Sequence, residues 1–298
     1  MSTVKMLLKR NIKLFFKDKA MFFTSLITPV ILLVLYATFL SNVYTDIFHD
    51  SLAGAIEVSE SLINGCVGGQ LVSSILAVSC VTVAFCSNML MVQDKVTGAA
   101  RDFKTSPVKP SALAVSYYFA TLASTLIICF AATGICLLYI AAVGWYMSVL
   151  DVILLFTDVI LLVLFGTALS SIINFFLSTQ GQISAVGTIV SSAYGFICGA
   201  YMPISQFGTG LQRVLSFLPG TYGTSLVRNH ALRGVFEEME SIGFPSEVIE
   251  AIRDSVDCNL YFFGNKVDLP VMYLILGGSV IALVGIYIAM NVVRGKKV

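Results

Sequence analysis

Apolar residues run along this chain in six blocks separated by charged or turn-forming segments, at about 21–41, 71–92, 112–143, 149–177, 184–202 and 269–293. A helix needs roughly 20 residues to cross a hydrocarbon core, and each block is of that order. The third and fourth are longer, which predicts tilt, a kink or extension past the bilayer. Residues 4–18 follow another pattern. Lys5, Lys9, Lys13 and Lys17 recur at every fourth position, with Val4, Leu7, Leu8, Leu14 and Phe15 on the other side. That spacing predicts an amphipathic helix in the plane of the interface, its basic side toward anionic lipid headgroups. The first block begins behind this charged helix, so it is expected to be a retained span. A cleaved signal carries its short apolar core nearer the start.

Between the blocks the segments differ. Residues 43–65 are expected to form a polar external connection. Residues 203–268 form the largest external piece. To about Ser225 they are apolar and punctuated by Gly and Pro, which suits short re-entrant helices packed on protein or water. From Ala231 to about Val256 the pattern is a charged helical hairpin, broken near Gly243 and Pro245. The expected fold class is an all-α integral membrane protein with six transmembrane helices, led by an interfacial helix and with re-entrant helices before the last span.

Composition agrees: 57% of residues are hydrophobic and 12% charged, where a soluble domain carries about 25% charged. The net charge of +1 conceals an uneven distribution. Six Lys or Arg lie in the first 20 residues, four in 93–110 and three in the C-terminal tail, thirteen of eighteen in all. The remaining five, Arg213, Arg228, Arg233, Arg253 and Lys266, lie among a larger number of carboxylates. The bias predicts that both termini and the 93–110 loop are cytoplasmic. Five of the seven cysteines fall in apolar runs and read as small buried hydrophobes. Cys66 and Cys258 lie outside the expected spans, and two alternatives stand for them: a bridge pinning the external hairpin to the second span, or two free thiols.

Candidate chemistry is sparse. The sequence has no HExxH, GxSxG or GxxxxGK[ST] pattern, and no metal site is expected. His49 and His230 fall in external segments without a second ligand nearby and are expected to be solvated or structural. Gly68-Gly69 is expected to serve close helix approach. Asp158, roughly 10 Å along the fourth span from Asp151, is a carboxylate that costs about 2.5–3.5 kcal/mol at the centre of a bilayer. It either hydrogen-bonds Ser124 or Thr125 or lies near the outer surface, or it faces a hydrated cleft that takes cationic amphipathic substrates. Asn88, Met89, Tyr194 and Phe196 would complete such a surface. The 93–110 loop reads as a short charged helix, with Gly98 permitting a tight approach and Pro107 stopping it. It is either a solvated connector or a docking helix for a cytosolic partner.

Three landmarks stand in order on this plan. A basic interfacial helix leads into a first span containing Pro29. After the second span come Asp94, Lys95, Gly98, Arg101, Asp102, Ser106 and Pro107. The third is Ile197-Cys198-Gly199-Ala200-Tyr201-Met202-Pro203-Ile204, followed by Leu211, Leu215, Leu218-Pro219 and Thr221-Tyr222. In these the chain resembles, over essentially its whole length, the ABC-2 permeases, the membrane subunits of type V ABC exporters. The resemblance implies a non-enzymatic permease subunit that pairs with a second copy or a related permease above two cytosolic ABC ATPase subunits, which hold the ATP and Mg. It implies that Asp94, Gly98, Arg101, Asp102, Phe103 and Pro107 couple to the ATPase, an exposed Phe103 plugging an apolar notch. Gly195 and Gly199, at GxxxG spacing, either bring two fifth spans together or pack within one subunit. The expected cargo is a hydrophobic or amphipathic small molecule or peptide, leaving through the cell membrane of a bacterium. Membrane lipids are expected contacts, and nucleic acid is not. The rival readings are an ion-gradient-driven transporter and a non-transporting immunity protein.

Overall fold

A computed structural model of the chain describes residues 3–35, 59–106 and 108–295. The basic segment forms α1, Thr3–Lys17. Lys5, Lys9, Lys13 and Lys17 are exposed, and Leu7, Asn11 and Phe15 form the buried stripe at four-residue spacing. Asp18 ends the helix and caps the next, its carboxylate accepting from the Met21 N–H at 3.0 Å. Helix α2, Lys19–Leu35, carries Pro29 inside it.

Helix α3, Glu60–Val96, is the centre of the bundle, 94% of its most apolar stretch being buried. It starts well before the expected residue 71. Ser59 caps it by accepting from the Leu62 N–H at 3.3 Å, and the Gly-rich first turns fit against neighbours. A Cβ on Gly69 would come within 2.5 Å of Leu232, the close approach expected of Gly68-Gly69. The expected polar connection 43–65 is therefore helix over its last residues, and its residues 43–58 lie outside the described ones, as does His49.

The short α4, Ala99–Thr105, precedes α5, Pro110–Val143, and α6, Val149–Phe176. A capping box starts α6: Ser148 Oγ accepts from the Asp151 N–H at 3.2 Å, and Asp151 Oδ2 accepts from the Ser148 N–H at 2.8 Å. Helix α7, Gln180–Ile197, begins with a second box formed by Thr179 and Gln182. After a single 3-10 turn at Ile204–Gln206 come α8, Thr209–Leu215, α9, Pro219–Ser241, and α10, Ser246–Ser255. Strands β1, Leu260–Phe262, and β2, Asn265–Val267, make one antiparallel hairpin with Tyr261 opposite Lys266. Helix α11, Leu269–Gly295, closes the chain.

Among the described residues four helices are long and apolar enough to cross a membrane: α3, α5, α6 and α11. The first and fifth blocks are occupied by the shorter α2 and α7. The expected helical break near Gly243 and Pro245 is present between α9 and α10. The larger correction concerns α9. It begins at Pro219, not Ala231, and most of it is buried against α3, α6 and α11 rather than standing outside the bundle.

Candidate functional site

At one end of the bundle two consecutive residues of α3 hold three other helices to it. Asp94, in the last turn of α3, is buried, and its carboxylate receives both terminal nitrogens of Arg10 on α1, at 2.6 and 2.8 Å. This two-bond fork is the strong form of a charge-assisted pair, and the carboxylate holds the Arg10 guanidinium above its already high ordinary pKa. The Tyr117 hydroxyl of α5 donates to the same carboxylate. Next along, Lys95 Nζ donates to the carbonyls of Asn174, Phe175 and Leu177, at 3.0, 2.9 and 2.7 Å. Those carbonyls lie in the last turn of α6 and just past it, where the helix leaves its acceptors unpaired and its dipole is negative.

Helix α4 hangs from this knot. Gly98 precedes it with φ +89, and a Cβ there would meet nothing within 4 Å. It is needed for its left-handed backbone, not for the expected close approach. Arg101 and Asp102 are exposed. Phe103 departs from expectation: it is half-buried, with the Arg10 guanidinium 5.1 Å from its ring centre. Stacked cation and ring satisfy each other, so Phe103 ties α4 to α1 rather than standing free as a plug. Pro107 lies outside the described residues. The expected coupling set thus divides into an anchoring residue, Asp94, a hinge, Gly98, and an outward pair, Arg101 and Asp102. Sequence reasoning missed Arg10. The available signal was its place off the four-residue lysine stripe.

A groove of about 910 Å³ opens between α2, α3 and α7, polar at Asp18, Gln93 and Gln180 and apolar at Ile27, Met89 and Phe196. Of the residues expected to form a substrate surface, Met89 and Phe196 line it. Three do not. Asn88 is buried, its amide donating to Ser170 and Ser171 of α6 at 3.1 and 2.9 Å. Tyr194 is buried against Gly220, where an added Cβ would lie 2.7 Å from its hydroxyl.

Asp158 is fully buried and, among the described residues, lines no cleft, a correction to the hydrated-cleft expectation. It bonds neither Ser124 nor Thr125. Its partners are His230 Nδ1 of α9 at 2.6 Å and the Tyr273 hydroxyl of α11 at 2.5 Å. His230 is correspondingly buried and paired, not solvated. Two cations of α9 are also paired with carboxylates. Arg228 is fully buried, with Asp257 at 3.4 Å, the Gly199 carbonyl at 3.0 Å and Ser74 at 3.3 Å. Arg233 reaches Asp151 at 2.7 Å. Asp257 also accepts from the backbone N–H groups of Ile204 and Ser205, at 2.5 and 3.2 Å. Burial nevertheless pushes its carboxyl upward.

Of the two alternatives for the GxxxG glycines, contacts within this chain are present at both positions. The Tyr201 ring lies where a Cβ on Gly195 would stand, 2.4 Å away, and Gly199 turns the chain out of α7 at φ +76. Cys66 and Cys258 are free thiols, as are the other five cysteines, and all seven are buried. The bridge alternative is not what the structure contains, and burial pushes the Cys258 thiol up to about 12.

No curated protein matches this chain. The family model described as ABC-2 type transporter matches residues 2–231, from α1 to the second half of α9. With that match covering most of the sequence, over a bundle of long apolar helices, the chain is a multi-pass membrane protein of the ABC-2 type transporter family.

Proposed function

We propose that this chain is the membrane-spanning permease subunit of an ATP-driven exporter, moving a hydrophobic or amphipathic compound out of the cell. Two such subunits, identical or related, pair above two ATPase subunits that bind ATP and Mg. The α1 and α4 end faces the cytoplasm, in keeping with thirteen of eighteen basic residues on that side. α2 and α7 complete a six-span plan, and the groove between α2, α3 and α7 is the surface the cargo meets. Such a carrier serves efflux, drug resistance being one outcome.

The observation that carries the proposal is the Asp94–Lys95 knot. A force on the exposed Arg101 and Asp102 reaches α1 through Phe103 and Arg10, α5 through Tyr117 and α6 through Lys95. A solvated connector requires none of these bonds. The test is the double substitution Arg101→Ala and Asp102→Ala, reconstituted with the ATPase. Both side chains are exposed, so folding is expected to be retained. Docking weakens by about fivefold, the worth of a rim contact near 1 kcal/mol, and ATP-driven transport falls with it. Wild-type transport by the double variant overturns the assignment.

One observation favours a second reading, a transporter driven by a proton gradient. Asp158 and His230 form a buried ionisable pair of the kind found in proton pathways. Transport abolished by a proton ionophore while ATP is plentiful selects that reading. Transport that follows ATP alone selects the first.

A further inference from the structure

The β-hairpin carries an aromatic tip that the described residues leave exposed. Phe262 and Phe263 meet Phe217, which lies between α8 and α9. Ring centres stand 5.2, 5.8 and 5.0 Å apart in edge-to-face contact. All three remain exposed, at 62% for Phe217, 38% for Phe262 and 54% for Phe263. The turn itself is unusual. Phe263 and Gly264 sit at φ +49 and +88, the primed geometry that tight hairpins fill with Asn-Gly or Asp-Gly. A bulky residue at positive φ is a steric outlier, and strained residues of this sort gather at functional positions. A phenyl group is held at the tip despite the local conformational cost.

The hairpin's position indicates what meets it. Only Asp268 separates β2 from α11, a helix long and apolar enough to cross a membrane. A groove of about 430 Å³ runs between the hairpin and that helix, with Phe217, Phe262, Val271 and Ile275 as apolar walls and Asn265 and Lys266 at the rim. From Leu269 to Ile275 is about 9 Å of helix at 1.5 Å per residue. That matches the depth of about 5–10 Å over which interfacial side chains enter the headgroup and acyl boundary. Val271 belongs to the outward stripe of α11, with Leu274 at 74% exposure, so the groove is continuous with a surface that already faces lipid. One cation, Lys266, lines it together with Asp268, and a second, Arg213, stands at the hairpin tip. Arg213 is exposed over Phe263 at 5.7 Å, and Lys266 is held only by an exposed pair with Glu250 at 3.1 Å. A pair of that sort contributes little, which leaves Lys266 available to an anion.

We propose that this groove seats a phospholipid of the adjoining leaflet. Its upper acyl chain lies between Phe217, Phe262 and the first turns of α11, its phosphate meets Lys266 and Arg213, and the phenyl tip sits at the headgroup boundary. The site is separate from the groove between α2, α3 and α7 and does not depend on what that groove carries.

The chain has a single tryptophan, Trp145, which makes a direct test available. The variant Trp145→Phe with Phe263→Trp places the only indole at the hairpin tip. It is reconstituted in vesicles of phosphatidylcholine and phosphatidylglycerol brominated near the top of the acyl chain. The expected result is loss of most of the emission to brominated lipid, with little quenching by aqueous iodide. Quenching by iodide without quenching by lipid overturns the proposal. Protection from both also overturns it, since a second copy or another protein then covers the tip. The contact with phosphate is read separately. Bromine carried on phosphatidylglycerol alone should quench more than bromine on phosphatidylcholine alone, and Lys266→Glu should abolish that difference. A difference unchanged by the charge reversal removes Lys266 from the site.

Discussion

Asp94 illustrates how one residue can be found in a sequence while its partners stay hidden. Its place in the loop pattern marked it as important, and that pattern suggested contact with another protein. In the structure its carboxylate is consumed by Arg10 and Tyr117. The two partners lie 84 and 23 residues away, and pairings over such distances leave no periodic trace. Removing the charge leaves a guanidinium that is one-third exposed and half-satisfied. Asp94→Asn is therefore expected to lower stability by about 1–3 kcal/mol, read as a fall in thermal midpoint in detergent. Arg10→Gln in the same background should add little beyond that loss, because the pair has already been broken. At Cys258 burial both excludes reagent and holds the thiol at about 12, while the thiolate is the reactive form. Alkylation of Cys258 at neutral pH should thus be slow in the folded protein and fast once it is denatured. Fast labelling of the native protein contradicts the buried position.

Among elements, four of the six expected spans were legible as long apolar helices, and α9 was not. Long apolar runs fix α3, α5, α6 and α11 because the length of a bilayer-crossing helix is set by the bilayer. Arg228, His230 and Arg233 gave α9 the look of a solvent-facing piece. The acids that pair with them stand elsewhere, Asp158 and Asp151 on α6 and Asp257 just after α10, so no short window of sequence contains both halves of a pair. The packing of α9 is tight enough to test by one methyl group. A Cβ on Gly234 would lie 1.8 Å from the Tyr146 carbonyl oxygen, in the backbone joining α5 to α6. Gly234→Ala should destabilise by about 1–3 kcal/mol or more, through separation of α9 from that connection. On α11, Gly277 has nothing within 4 Å of an added Cβ. Gly277→Ala should be neutral or stabilising by up to about 1 kcal/mol. The opposite signs, measured by thermal unfolding, separate overcrowding from a general intolerance of helix substitution.

For the molecule as a whole, the proposed orientation rests on the asymmetry of basic residues, and accessibility measures it directly. With native cysteines replaced, a cysteine at Asp102 should react with an impermeant maleimide only after cells are permeabilised. A cysteine at Glu238 should react in intact cells, and the reverse order overturns the topology. The buried charges of α9 also bear on how the protein is made. A helix carrying Arg228 and His230 meets a cost of several kcal/mol if it enters lipid alone, yet both residues are almost fully enclosed. It has to be received by a bundle that already offers Asp158 and the face of α3, and both of these are synthesised earlier in the chain. Asp257 is made after α9, and so is Tyr273, whose hydroxyl completes the Asp158 site. The pairs of α9 thus draw on both sides of the sequence: Asp158 precedes this helix, Asp257 and Tyr273 follow it, and its enclosure is complete only when the chain on both sides is present.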